Sequence, residues 1–109
     1  MYMVRENRGG LSCLIVRGSI SGSQGQALVT KVLDCARTGV QAVVINLDEC
    51  EAITTDLFSA FSTIRRELSR RNVEVYLDRV TGANRTIYER FPDLFDVPLA
   101  PEEISETEG

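Results

Sequence analysis

The sequence predicts an α/β fold in the order β-β-α-β-α-β-α-β, a four- to five-stranded mixed sheet with its helices mainly on one face. Three observations predict it. Two extended runs at the N-terminus flank Asn7-Arg8-Gly9-Gly10, a stretch whose residues tolerate positive φ, so the chain opens on an antiparallel hairpin. Three later segments repeat apolar residues at intervals of three and four, the helical period. Between them lie the short apolar runs A-V-V-I-N-L (42–47) and V-E-V-Y-L (73–77). The first lacks strict alternation, as a strand covered on both faces of a parallel sheet does. Right-handed crossovers through the intervening helices make these strands parallel.

The hairpin takes residues 2–5 and 11–17. Gly18-Ser19-Ile20-Ser21-Gly22-Ser23 then breaks the strand and supplies serines to cap a helix. That helix runs over 24–38, with Leu28, Val32, Cys35 and Ala36 on its inner face and Gly39 as C-cap. The strand over 41–47 follows and is central. A polar stretch, Asp48 to Glu51, leads to a second helix that begins near Thr54-Thr55-Asp56 and turns Leu57, Phe61, Ile64 and Leu68 inward. Arg65, Arg66, Arg70 and Arg71 fill its C-terminal half, where cations complement the helix dipole on a solvated surface. The strand over 73–77 and a loop over 78–82 precede a third helix at 83–91, with Ile87 and Phe91 inward and Pro92 ending it. Phe95-Asp96-Val97-Pro98 is a short edge strand, because proline cannot donate to a ladder. Residues 1–104 make one domain; 105–109 are an acidic, frayed tail.

The 109 residues, 43% hydrophobic and 26% charged, have the make-up of an ordinary single globular domain. The absence of histidine excludes His-based triads, His-containing zinc sites and the metalloprotease helix motif. The net charge of −4 resides in Glu102, Glu103, Glu106 and Glu108, since the rest of the chain is balanced. A neutral body of this kind offers no basic face for nucleic acid. The longest aliphatic run, Ala42 to Ile45, is far shorter than the ~20 residues that span a bilayer, so the reading is a cytoplasmic protein without membrane insertion. Cys13, Cys35 and Cys50 form no C-x-x-C pair and read as free thiols, Cys13 and Cys35 in the core.

Chemistry in an open α/β sheet gathers where loops leave the carboxyl ends of strands. Here that place is I-N-L-D-E-C-E-A-I-T-T-D-L-F, residues 45–58, more polar than a connection requires. It delivers Thr54, Thr55 and Asp56 to the first turn of the second helix. Either a threonine caps the helix while Asp56 complements the dipole, or the free N–H groups there hold a phosphate placed on a threonine. Asp48, Glu49, Glu51 and Asp56 also sketch a Mg²⁺ cluster, but a receiver-type phosphoaspartate domain would need a further acidic pair and a lysine partner. Neither G-x-x-x-x-G-K-[ST] nor G-x-G-x-x-G occurs.

In order and spacing the sequence resembles the STAS domain, the family named for sulphate transporters and anti-sigma-factor antagonists. The resemblance covers about residues 3–104. It rests on the opening hairpin, on Gly18 to Ser21 beside the family's G-x-L-D, on V-V-I-N-L at 43–47, and on A-N-R-T-I-Y-E-R-F-P-D-L-F-D-V at 83–97 beside A-V-x-R-L-F-x-x-S-G-L-x-x-x-F. It implies a non-enzymatic module, without metal or cofactor, that binds a protein partner in a bacterial partner-switching system. That partner is a serine/threonine kinase-type anti-sigma factor or a STAS scaffold, and a homo-oligomer is compatible with the same reading. The implied interface is Thr54, Thr55, Asp56, Leu57 and Phe58, with Thr55 and Thr54 as phosphoacceptor candidates. The family's antagonists carry D-S-S-G at this turn. Counting nine residues from Leu47 aligns Asp56 with the phosphorylated serine, Thr55 with the first serine, Thr54 with the aspartate and Leu57 with the glycine. Stressosome-type members place the acceptor one residue earlier, which aligns it with Thr55. Two other readings stand beside this one: a non-switching assembly or transporter-associated STAS module, and a small nucleotide-binding or metal-dependent domain.

Overall fold

The structure, a computed structural model, describes residues 2–37, 39–54, 57–91 and 96–101. Strands β1 (Tyr2–Arg8) and β2 (Leu11–Ile20) form the hairpin, paired in register from Tyr2↔Arg17 to Arg8↔Leu11. Both are longer than the sequence suggests. The turn contracts to Gly9-Gly10, with Gly9 at φ 60°, a conformation glycine adopts without steric cost. Gly18 does not break β2: it adopts φ 82°, which glycine does without steric cost, and the strand continues through Ile20.

Helix α1 (Gly25–Cys35) follows a 3-10 turn at Gly22–Gln24. Its cap differs from the expected serine cap. Gln24 stands at the N-cap without a side-chain cap bond, and its Oε1 instead reaches back to accept from the Ser21 N–H at 3.0 Å. The helix also ends at Cys35 with Ala36 as C-cap, three residues short of the expected end, and Gly39 (φ 91°) bends the chain afterwards.

Strand β3 (Ala42–Asn46) is central, parallel to β2 on one side and to β5 (Glu74–Asp78) on the other. A further strand, β4 (Cys50–Ile53), occupies the stretch read as polar connection; it runs parallel to β2 beyond β3, pairing Gly18↔Cys50 and Ile20↔Ile53. The sheet therefore has five strands in the order β1-β2-β3-β5, with β4 on β2. Helix α2 (Phe58–Arg70) starts later than the threonines, because β4 extends the chain through Ile53. Helix α3 spans Gly82–Arg90. In place of the expected edge strand there is a single parallel bridge, Leu77↔Leu99; Phe95 lies outside the described residues.

Pairing across the sheet puts Leu14, Val16, Val43, Ile45, Val75 and Leu77 on one face. These residues, Leu28 and Val32 of α1, and Phe61, Ile64 and Leu68 of α2 belong to one buried cluster, so α1 and α2 share that face. Leu57, Phe61, Ile64 and Leu68 are buried, and Arg65 and Arg70 exposed, as the apolar period of α2 dictates. All three cysteines are buried free thiols, including Cys50, which β4 carries into the core.

Candidate functional site

The carboxyl end of the sheet is built by side chains that bond to loop backbone. Asn46 closes β3, and its Oδ1 accepts from the Asp48 N–H at 2.8 Å. This local turn is the kind asparagine forms with its own backbone two residues on. Cys50 N–H then donates to Leu47 O (3.1 Å) and Gly18 N–H to Glu49 O (3.1 Å), which lays β4 against β2, with Glu51 as the extra residue between the pairs Gly18↔Cys50 and Ser19↔Ala52. The Glu49 carboxylate meets Arg17 Nε at 3.0 Å, with both side chains about half exposed. Asp78, buried at the end of β5, accepts from Arg79 N–H at 3.0 Å.

Asn84 is the residue that sequence reasoning missed. It lies in the first turn of α3, 1% exposed, and grips β4 at two points. Its Oδ1 accepts from Ile53 N–H and its Nδ2 donates to Cys50 O, both at 3.0 Å. The signal was present: Asn84, Ile87, Tyr88 and Phe91 recur at three and four positions, so an amide occupies an inward place in an otherwise apolar series. A buried amide in such a place requires partners for both ends.

Past Ile53 the chain reaches Thr54, which is exposed. Thr54 O accepts from Leu57 N–H at 3.1 Å, which curls the chain into α2. Thr55 and Asp56 lie outside the described residues. The expected threonine cap does not take the N-cap position: Leu57 holds it, in helical conformation and without a side-chain cap bond. The Leu57 side chain is buried at 1% exposure, against α1. A Cβ on Gly25, the first residue of α1, would stand 3.4 Å from Leu57 Cδ2 and from Ala60 Cβ, so the two helices approach closely here. Phe58 is half-buried, its ring centroid 5.9 Å from that of Phe91 at an interplanar angle of 54°, a favourable tilted aromatic pair.

Thus Thr54, Leu57 and Phe58 are brought together at one turn, with Thr54 outward and Leu57 inward. Asp48, Glu49 and Glu51 are exposed, and among the described residues no group of three His, Cys, Asp or Glu side chains is arranged to hold a metal ion. No helix among the described residues is long and apolar enough to cross a membrane.

No protein-family model matches this sequence and no curated protein matches it significantly. Solved structures do. An anti-sigma factor antagonist from Mycobacterium paratuberculosis superposes with a TM-score of 0.74 at 19% identity, covering 92% of this chain and 85% of that one. The anti-sigma factor antagonist SpoIIAA in its unphosphorylated form gives 0.71 at 14% identity, over 94% and 90% of the two chains. The Bacillus cell fate determinant SpoIIAA in its phosphorylated form gives 0.63 at 14%, over 94% of each. Mglu, matched at 26% identity with a TM-score of 0.58 over 68% of this chain, is much longer: the match takes in 18% of its length. The fold is that of the STAS domain, as element order and sheet pairing already indicate.

Proposed function

We propose that this chain is a protein-protein interaction module of a partner-switching regulatory system, working in the cytoplasm. It binds a kinase-type anti-sigma factor or a STAS scaffold through the turn formed by Thr54, Thr55, Asp56, Leu57 and Phe58. The observation that carries the reading is the placement of an exposed threonine at the exit of β4, four residues before the start of α2, at the carboxyl end of the parallel strands. The likeness to an antagonist solved in both phosphorylated and unphosphorylated forms supports it.

Within this reading Leu57 and Phe58 hold the turn while Thr54, Thr55 and Asp56 meet the partner. The first N–H groups of a helix have no intrahelical partner, so a phosphate or carboxylate on this turn is stabilised by about 0.3–1 kcal/mol. Asp56 acts as a standing negative charge where the antagonists carry their second serine. Thr55 and Thr54 are the hydroxyls available to a kinase. Phosphorylation there adds about −1.5 to −2 charges, enough to change affinity for a surface shaped to the unmodified turn. The module does no chemistry of its own in this account.

A structural role without switching is the second reading, favoured by the resemblance to a segment of the longer Mglu chain. Mass spectrometry of the protein from its native host distinguishes the two. Phosphate on Thr54 or Thr55 is the expected result; phosphate confined to other residues rejects the switching reading.

A further inference from the structure

We propose that α3 is a strap that holds both ends of the turn between β4 and α2, with Asn84 as its positioning residue. The inference rests on the partner-binding reading only for the purpose it gives that turn; the strap itself is a matter of geometry.

Strand β4 pairs with β2, and two of its backbone groups, Ile53 N–H and Cys50 C=O, are met by a side chain of α3. The Asn84 side chain takes both. One side chain thereby holds the strand at the point where the chain enters the turn. At the exit, Phe58 in the first turn of α2 packs against Phe91, the C-cap of α3, whose own N–H donates to Ile87 O at 3.0 Å. Asn84 and Phe91 lie seven residues apart, about 10 Å along a helix axis. Helix α3 thus pins residue 53 at one end and residue 58 at the other, and the intervening segment spans two fixed points.

Two consequences follow. Entry and exit of the turn are held by an element outside it, and a binding surface whose ends are held in this way loses less conformational freedom when a partner docks. The turn and α3 are also coupled: a displacement of α3 breaks two buried hydrogen bonds and an aromatic contact, and a reshaped turn strains the same three.

Amide hydrogen exchange on the isolated chain tests the strap. In the unaltered protein Ile53 N–H exchanges at least about a hundredfold more slowly than in an unstructured peptide, because a buried acceptor holds it. In Asn84→Leu, which fills the space without either bond, the Ile53 and Leu57 amides exchange faster by about tenfold or more beyond the factor by which the global loss of stability speeds Val44 and Ile45 in β3, a local change that a lost buried hydrogen bond produces. In Asn84→Asp an oxygen for Ile53 remains but the donor to Cys50 is gone, so Ile53 exchanges at a rate between the two. Phe91→Ala accelerates Leu57 more than Ile53. Fast exchange of Ile53 in the unaltered protein overturns the proposal even where no variant folds. So does an unchanged Ile53 rate in Asn84→Leu, or a single common factor for Ile53, Leu57, Val44 and Ile45, which marks Asn84 as a general brace. None of these measurements involves a partner, so their failure leaves the partner-binding reading standing, and absence of phosphate on the threonines leaves the strap standing.

Discussion

The two ends of the parallel sheet are held together by different means. At the amino end, backbone bonds backbone: Gly10 O accepts from Gln41 N–H at 2.7 Å, Gln41 O from Glu74 N–H at 3.0 Å, and Leu68 O from Val73 N–H at 2.9 Å. The one buried polar side chain there, Ser12, has no hydrogen-bond partner among the described residues. At the carboxyl end, the buried side chains of Asn46, Asp78 and Asn84 each accept from a backbone N–H of a loop or strand end. One end closes by repeating the ladder; the other spends buried polar groups on irregular backbone. Buried polar groups cost free energy unless bonded, so placing three of them at one end, all satisfied, specifies the loops there in a way that apolar packing, being non-directional, does not.

The largest effect should come from Leu57→Ala, at the start of α2. Removing a fully buried leucine costs about 2–5 kcal/mol, read by denaturant unfolding, and a loss below 1 kcal/mol would mean that the turn is anchored by something other than this packing. Asn84→Leu should cost about 2 kcal/mol or more, since it strands a buried N–H and a buried C=O. Ser12→Ala tests the opposite end and should have the opposite sign. It removes a hydroxyl buried without a partner and should stabilise by about 1 kcal/mol; a clear destabilisation would reveal a bond to that hydroxyl and erase the contrast between the ends. Arg85→Ala breaks the exposed 3.1 Å pair with Glu89 and should shift stability by less than about 0.5 kcal/mol, which sets the scale for a surface contact beside the site.

Much of this arrangement could be read from residues alone, and the misses share a cause. The inward series Leu57, Phe61, Ile64 and Leu68 repeats at the helical period, so the face of α2 and the central place of β3 followed directly. Strand β4 did not. In C-E-A-I Glu51 is exposed between the buried Cys50 and the more distant Ile53, too short an alternation to stand out from a polar connection, and the pairing skips Glu51 as an extra residue, which only the long-range register reveals. Missing β4 moved the start of α2 forward to the threonines and put a cap where the structure has Leu57. Asn84 was legible in principle, as an amide on an apolar face. What it binds was not, because both of its partners are backbone groups more than thirty residues away in sequence. The position of the turn was legible because it follows from topology; the device that holds it comes from a distant helix.

The central claim is that the turn before α2 is the surface a partner reads, and calorimetry on a single kinase-type anti-sigma factor that binds the chain tests it most directly. If Asp56 meets the partner as proposed, its charge opposes docking and Asp56→Ser should tighten binding by about 1–3 kcal/mol, the cost of one unpaired or like-charged group at an interface. Arg70→Ala, at the far end of α2, should leave the affinity unchanged. Equal affinities for the unaltered protein and Asp56→Ser would remove Asp56 from the interface and contradict the account.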